Sequence, residues 1–406
     1  MDAAALDALI AELADVGDPL ADALVAELAT HPGNRASLDR GLREGRESLG
    51  DLSGAPALAA YLTELETLTA AAPDDLLESA SLPHFTISPA EHVLDLGAAA
   101  LIHSYAPPRT AAVLVGTGEL TSRALERVTD TGRWNAAALV PGWLWRGEPG
   151  YVATAQVRLV HARVRRALRR AGEPLDGGSA GVPLHQVDLA RTWLDFTLVT
   201  MNADAALGLD LTADEQESLY RYWRHLGLLL GVDGRLLAGA VDTAGAQLLA
   251  ERIAAVTGPP SEDSRRLTRA GLEALAGALS DLMPVPARLA GPMVRAACRA
   301  MLGDDLADQL GVPRSAAAAA ALRPLVALTR VRRRRLRRDA AAWERLVRAN
   351  VEATRAFALD GGPAGLGGGG GGGGGRGGGR GGGGGGGGPG GGVGGGGGGG
   401  GVVVKT

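Results

Sequence analysis

The sequence predicts an all-α protein, because helical periodicity dominates it and strand-like alternation is scarce. Apolar residues recur three or four positions apart from the N-terminus onward, as at Leu6, Ile10, Leu13 and Val16, and this spacing places them on one face of a helix. Runs in which apolar and polar residues alternate, the pattern of half-buried strands, are rare. The pattern therefore predicts a single large helical domain.

The helices follow one another along most of the chain. Leu6 to Val16 mark the first helix, and Leu20, Leu24 and Leu28 mark a second helix after the Gly17-Asp18-Pro19 turn. The same periodicity predicts further helices at about 57–70, 92–103, 118–129, 151–170, 187–206, 213–231, 236–256, 263–282, 287–302 and 314–357.

The helical pattern ends before a glycine-rich tail. From Gly361 onward the sequence is almost pure glycine, and such a tract cannot bury enough apolar surface to fold. The sequence therefore predicts a helical domain over residues 1–357 and a disordered tail over residues 358–406.

The composition excludes several classes of protein and site. The net charge of −4 does not favour a polyanion-binding protein. Cys298 is the single cysteine, which excludes intramolecular disulfides, C-x-x-C zinc sites and covalent haem attachment. Lys405 is the single lysine, so the body of the protein has no amine for a Schiff base.

The N-terminus and the apolar runs predict a cytoplasmic protein. The first residues are acidic and lack the basic region of a signal peptide. No apolar run reaches the roughly 18–20 residues that a membrane span needs. The basic run Arg330–Arg338 falls on a predicted helix, and we expect either a solvated arginine face or peripheral contact with an anionic membrane. Nucleic acid is discounted, because stacking aromatics are absent around this run.

A histidine lies on the apolar face of the helix predicted at 151–170. Val157, His161, Val164 and Leu168 follow the spacing of a buried face, and Arg158 lies three residues before the histidine. A lone histidine on such a face is more often a core residue than a ligand. An arginine is not a natural partner for it, however, and the pair favours an anionic or metallic group between them. Haem fits this pattern, because the imidazole can bind iron and the guanidinium can pair with a propionate or polarise bound oxygen.

Several segments carry a resemblance to a known family. They are, in order, GDPLADALVAEL at 17–28, a segment at 94–131 with a T-G-x-L-x-x-R-A-x-x-R core at Thr117–Arg127, VRLVHARVRRAL at 157–168, VPLHQVDLARTWLDFT at 182–197 and ESLYRYWRHLGLLLGVDGRLL at 217–237. In this ordered set the chain resembles the family that includes the latex-clearing rubber oxygenases and the fungal ER-bound oxygenase MpaB. The resemblance spans roughly residues 15–340.

The resemblance implies an all-α fold around haem b and dioxygen-dependent oxidation or cleavage of an unsaturated hydrophobic small molecule. Arg158 falls on the arginine of the family's R-x-x-H/K motif, and His161 falls on a lysine that can cap the iron. Leu194 stands where the family has an axial histidine. We therefore expect His161 to bind the iron, with His185 as a second candidate. The missing signal peptide makes extracellular rubber an unexpected substrate.

The remaining site predictions complete an oxygenase hypothesis. Arg158 and Glu148 are the predicted catalytic residues, and Trp193, Leu194 and Phe196 are expected to line the cofactor or substrate pocket. Two alternatives stay open. One is a haem-free helical protein that binds a hydrophobic ligand, and the other is a non-haem metal enzyme with a site made of His161, His185 and Asp188.

Overall fold

The structure, a computed structural model, describes residues 2–116, 124–171, 181–282 and 286–360. Within these residues the regular elements are helices and no β-strand occurs. The prediction of an all-α fold is confirmed. Residues 361–406, most of the predicted tail, lie outside the described part of the chain, as do 117–123 of the T-G-x-L core.

The first half of the helical domain ends with a long helix of 23 residues. Its α-helices, in chain order, are α1 Ala3–Leu13, α2 Pro19–Thr30, α3 Asn34–Glu44, α4 Pro56–Ala70, α5 Asp74–Glu78, α6 Pro89–Leu94, α7 Leu101–Ser104, α8 Pro108–Gly116, α9 Ala124–Leu139 and α10 Pro149–Ala171.

The second half adds the helices that close the core. They are α11 Gln186–Leu194, α12 Thr200–Ala206, α13 Ala213–Leu229, α14 Gly234–Leu237, α15 Thr243–Thr257, α16 Glu262–Leu282, α17 Ala287–Leu302, α18 Asp304–Gln309, α19 Ala316–Leu336 and α20 Ala340–Leu359.

Two short π-helices interrupt longer helical runs. Asp95–Ala100 joins α6 to α7, and Asp195–Val199 joins α11 to α12. A π-turn widens the helix by one residue and commonly marks a functional position. Both π-helices begin with a buried aspartate, and they pack against each other.

Two apolar clusters form the core on either side of these π-helices. The larger cluster includes Leu24, Tyr61 and Leu159, from α2, α4 and α10. The smaller cluster includes Ala99 of the first π-helix and Val294 of α17. The π-helices therefore lie where the two clusters meet, and this position places polar side chains deep inside the protein.

Some predicted helix boundaries differ from the structure for local reasons. The helix predicted at 314–357 is two helices, α19 and α20, because the Asp339 side chain caps a new helix by accepting from the Ala342 N–H. The helix predicted at 187–206 is continuous but contains the second π-helix. The short polar helix α3 was not predicted, since it has few apolar residues to establish a period.

Membrane spans were also sought among the helices. In the described ranges, no helix combines the length and the apolar character that crossing a bilayer requires.

Candidate functional site

Arg158 lies on α10 in a buried ion-pair network. Its Nε donates to Asp18 Oδ2 at 2.6 Å and its Nη2 to Asp18 Oδ1 at 3.0 Å. Glu64 Oε2 lies 2.9 Å from the same Nη2. Arg158 and Asp18 are each 3% exposed, so this is a bidentate pair in a dry environment. Sequence analysis missed Asp18 as the partner, because it lies 140 residues away.

His161 lies one turn further along α10 and is neutral. Burial and the nearby Arg165 guanidinium lower the pKa of its imidazole to about 4. Its Nδ1 atom is enclosed and has no hydrogen-bond partner. A neutral imidazole with an unengaged nitrogen is the form that binds a metal.

Three neighbouring side chains on this face of α10 each carry one nitrogen without a hydrogen-bond partner. Arg158 Nη1, His161 Nδ1 and Arg165 Nη2 are all buried and have no partner. Positions 158, 161 and 165 lie on one side of a helix. Two donors of positive charge and one neutral imidazole suit a group that presents anions and a metal, and haem with its propionates is such a group.

The face is closely covered by neighbouring segments. Gln186 Nε2 donates to the carbonyls of Gly17 at 2.8 Å and Gly231 at 2.9 Å. Gly231 has a φ of +80°, and a Cβ there would collide with Asp18 and Arg158. The ligand chemistry of the face therefore fits haem, but entry of a macrocycle requires these covering segments to move apart.

Glu148 does not lie near His161. It is exposed and immediately precedes α10. Twelve residues of helix separate Pro149 from His161, which corresponds to about 18 Å along the axis. The structure therefore separates Glu148 from His161, the predicted iron ligand.

Trp193, Leu194 and Phe196 occupy different surroundings. Trp193 is buried and donates from Nε1 to the Trp223 carbonyl at 2.7 Å. Leu194 is buried within the larger apolar cluster. Phe196 stacks on Trp223 with ring centroids 5.7 Å apart and lines an enclosed cavity. Of the three, Phe196 is thus the residue that faces open space.

His185 and Asp188 form the N-terminal cap of α11. The Asp188 N–H donates to His185 Nδ1 at 3.2 Å, and the His185 N–H donates to Asp188 Oδ2 at 3.2 Å. This reciprocal arrangement is a capping box with histidine in the place of serine or threonine. It gives both side chains a structural role at the start of the helix.

A different group brings potential metal ligands together. Among the described residues, His92, Asp95 and Asp204 form the group of His, Cys, Asp or Glu side chains whose ligand atoms all lie within 4.8 Å of one another. All three are buried. They come from α6, the first π-helix and α12.

The pKa shifts within this group follow from its geometry. The Asp95 carboxylate holds the pKa of His92 above its ordinary value, against the opposing effect of burial. Burial and the neighbouring Asp95 carboxylate raise the pKa of Asp204 well above its usual range. Burial and the neighbouring carboxylate therefore favour the protonated form of the Asp204 carboxyl group.

The group opens onto a small enclosed cavity of about 20 Å³. Its lining is mixed, with polar side chains such as His92 and Asp204 and apolar side chains such as Phe196 and Trp223. One water molecule needs roughly 10–15 Å³ by this measure. The cavity thus admits an ion or water and is far too small for a drug-sized organic molecule.

Sequence reasoning did not identify this group. The one local signal is His92 and Asp95, three positions apart in an otherwise apolar stretch, since such a pair faces the same side of a helix. Asp204 has no local relation to them. The tertiary fold alone brings its carboxyl group to the pair.

A second histidine–aspartate pair lies at the other π-helix. His103 Nδ1 donates to Asp195 Oδ1 at 2.5 Å, and Arg191 Nη2 donates to the His103 carbonyl at 3.0 Å. The third charged side chain at this pair is Arg191, whereas the third charged side chain at His92 and Asp95 is the carboxyl group of Asp204. The pair provides a natural reference for the group at His92.

The basic run Arg330–Arg338 is divided between the protein and its surface. Arg333 is buried and donates to the Thr86 carbonyl at 2.7 Å and to the Thr86 hydroxyl at 2.8 Å. Other members of the run are exposed, namely Arg332, Arg334, Arg335 and Arg338. The run therefore both anchors α19 and provides a cationic surface.

Comparisons with known proteins agree with this fold. The chain is similar to the solved structure titled "Structure of Latex Clearing Protein LCP in the closed state", with a TM-score of 0.60 and 19% sequence identity. The match covers 85% of this chain and 90% of that one. Comparison with curated proteins gives no match. The family model described as "ER-bound oxygenase mpaB/B'/Rubber oxygenase, catalytic domain" matches residues 91–331, more than half of the 406 residues, and the chain belongs to this oxygenase family.

Proposed function

We propose that the protein is a haem b-dependent oxidoreductase that uses dioxygen to oxidise an unsaturated hydrophobic small molecule. The observation that carries this proposal is the unpartnered Nδ1 of His161, a neutral buried imidazole in an oxygenase-family fold. Haem brings four ring nitrogens of its own and needs one axial ligand from the protein. His161 supplies an atom of the required kind.

The surrounding arginines support the same assignment. Arg158 Nη1 and Arg165 Nη2 are buried donors without acceptors, and carboxylates such as the haem propionates would satisfy them. Asp18 accepts from the other two nitrogens of Arg158, and Asp22 and the Leu184 carbonyl accept from those of Arg165. Their orientation is therefore fixed before a cofactor arrives, which lowers the entropy cost of binding it.

The chain's own residues have limited and specific roles in this proposal. Haem, when bound, supplies the redox-active iron for dioxygen chemistry. His161 would hold it, and Arg158 and Arg165 would orient it through the guanidinium nitrogens that lack acceptors. Glu148 precedes α10 and lies too far from His161 to accept a proton beside it, so it would not act as a base at this site.

The test is an ultraviolet–visible spectrum of protein purified from haem-replete cells, recorded before and after dithionite. A Soret band that shifts on reduction is expected in the wild type, at about one haem per chain. His161→Ala should lose most of this haem, while His31→Ala, which changes an exposed histidine, should retain it. A full Soret band in His161→Ala would overturn the assignment of His161.

A haem-free hydrophobic binding protein is the second candidate. It is favoured by Leu194, which is buried and apolar where relatives of the family are expected to have an iron ligand. A flat visible spectrum, together with no haem uptake by the folded protein, would support this candidate. Oxygen consumption with an alkene substrate would exclude it.

We also propose that α19 holds the protein peripherally at an anionic membrane. Leu325, Leu328 and Val331 are 50%, 65% and 44% exposed, and their three-residue spacing places them along one side of the helix. Arg332 and Arg335 line the cleft beside them. An exposed apolar strip flanked by arginines is the pattern of an interfacial helix.

Sedimentation with phospholipid vesicles tests the membrane proposal. Binding should require anionic lipid and weaken in Leu328→Asp, whereas Leu359→Asp, a change at an exposed leucine on α20, should leave it unchanged. Equal binding to neutral vesicles, or no loss in Leu328→Asp, would contradict the proposal.

A further inference from the structure

We propose that His92, Asp95 and Asp204 form a second metal centre, which binds one divalent first-row cation such as Mn²⁺, Fe²⁺ or Zn²⁺. This site is separate from the haem assignment at His161. It rests on three kinds of observation, namely the convergence of ligand atoms, their unsatisfied hydrogen bonds and the space beside them.

The ligand atoms converge from three elements. One nitrogen and two carboxylate oxygens lie within 4.8 Å of one another. Metal–ligand bonds of roughly 2.0–2.2 Å bring such atoms to about 3–4 Å apart around a single ion. The side chains therefore need to close by only about an ångström to bind it.

The imidazole of His92 is already oriented for metal binding. Its Nε2 donates to the His84 carbonyl at 3.1 Å, and the His84 ring stacks on it with centroids 3.8 Å apart. A metal-bound histidine typically donates its other N–H to a carbonyl or carboxylate, which fixes the ring and its tautomer. Nδ1, now 2.7 Å from Asp95 Oδ2, is the atom left for the ion.

The two carboxyl groups are not satisfied by the protein. Asp95 is 0% exposed and Asp204 is 2% exposed, and the Oδ1 atom of each has no hydrogen-bond donor. A buried carboxylate oxygen without a donor is costly, because nothing replaces the water that it lost on folding. A proton shared between the carboxyl groups would remove part of this cost. A divalent cation would remove more, because it would neutralise both carboxylates at once.

The cavity supplies the remaining coordination positions. His92 and Asp204 line it, and its volume of about 20 Å³ admits water as a further ligand. Imidazole favours iron and zinc, and carboxylate and water favour manganese and magnesium. The mixed set therefore favours a borderline first-row ion.

The charge around the site is compatible with a dication. Asp204 faces the guanidinium of Arg333 and the carboxylate of Glu91, which oppose each other. Arg333 is occupied by Thr86 and by the Asp210 carbonyl, to which its Nε donates at 3.0 Å. Two ionised aspartates and a neutral histidine then carry a charge of −2, which balances the ion.

The experiment uses Mn²⁺ as the probe, because haem iron does not interfere with it. The full-length protein is treated with a chelator and dialysed, and free Mn²⁺ is followed by its electron paramagnetic resonance signal. One Mn²⁺ per folded chain is expected. Asp204→Asn and His92→Gln should weaken binding by at least about tenfold.

A matched control comes from the other π-helix. Asp195→Asn changes a buried aspartate that also accepts from a histidine, and it should leave Mn²⁺ binding unchanged. His161→Ala should also retain it, so failure of the haem proposal and failure of this one are distinguishable. Circular dichroism confirms that each variant is folded, and Asp204→Asn keeps the shape of the side chain.

Two results would overturn the proposal. One is the absence of stoichiometric Mn²⁺ binding to the folded wild type. The other is equal binding by the wild type and by Asp204→Asn, which would place the ion elsewhere and leave the carboxyl pair to share a proton.

Discussion

Two buried histidines in this protein have opposite electrostatic surroundings. His161 lies among guanidinium groups, and burial together with Arg165 lowers the pKa of its imidazole to about 4. His92 lies beside carboxylates, and Asp95 keeps the pKa of its imidazole raised even though burial opposes this. Burial acts in the same direction on both. The sign of the neighbouring charge therefore decides which histidine is neutral.

The difference determines which centre each region suits. The cations around the neutral imidazole of His161 repel a bare metal ion. They suit haem, because its propionates are anionic and its iron is already held by four nitrogens. A histidine with two carboxylates has enough ligands and negative charge for a bare cation. The two proposed sites would therefore differ in their chemistry and lie on different helices.

The largest expected effect comes from removing the cation that the buried Asp18 carboxylate pairs with. Arg158→Leu leaves Asp18 buried without its bidentate partner, and loss of one member of a buried pair costs about 3–5 kcal/mol of unfolding free energy. Urea denaturation measures this loss. Arg158→Lys should recover only part of the stability, because an ammonium group cannot form the two parallel hydrogen bonds.

A double substitution separates pairing from packing at this position. Asp18→Asn in the Arg158→Leu background removes the unpaired charge and should restore part of the stability. Arg169→Leu, a change at an exposed arginine on the same helix, should change stability by less than about 0.5 kcal/mol. If Arg158→Leu is as mild as this control, the ion pair does not stabilise the fold.

A third histidine provides a reference that lacks both kinds of neighbour. His225 is 7% exposed, and burial alone lowers the pKa of its imidazole to about 4. Between pH 6.5 and 4 the unfolded chain binds this proton and the folded chain does not, so stability falls as the pH falls. His225→Leu removes this imidazole. It should therefore reduce the loss of unfolding free energy between these pH values by at most about 3 kcal/mol.

Urea denaturation at pH 7 and at pH 4.5 gives the change in unfolding free energy with pH for the wild type and for His225→Leu. The difference between these two changes measures the effect. His31→Leu, a change at an exposed histidine, controls for the loss of any imidazole. Identical pH dependence in the wild type and His225→Leu would show that His225 is protonated in the folded protein. Burial would then be a weaker influence than the comparison of the two sites assumes.

The sequence predicted the parts of this arrangement that depend on neighbouring residues. Helical spacing identified most helices and placed His161 on the inner face of α10, because periodicity is a local property. It did not show that Arg158 pairs with Asp18 on α2, or that Asp204 joins His92. Those contacts arise only when distant helices pack together.

Local chemistry gives one spacing two possible roles. His185 and Asp188 have the spacing of metal ligands, yet they have the same spacing as a capping box, and the structure uses them for the latter. Spacing alone cannot separate these roles, because both place two side chains on one turn. His92 and Asp95 share that spacing, and what distinguishes them is burial and the third carboxyl group.

The smallest expected effect tests the electrostatic argument most directly. Arg165→Gln removes the cation that, after burial, contributes most to lowering the pKa of His161. The pKa of His161 should then rise toward its ordinary value of 6.5, because the remaining Asp18 carboxylate favours the protonated ring. Nuclear magnetic resonance titration of the imidazole in haem-free protein measures the change. Arg170→Gln, at an exposed position on the same helix, should leave the titration unchanged. An unchanged pKa in Arg165→Gln would mean that burial alone keeps His161 neutral, and the contrast with His92 would then depend only on the carboxylates at that second site.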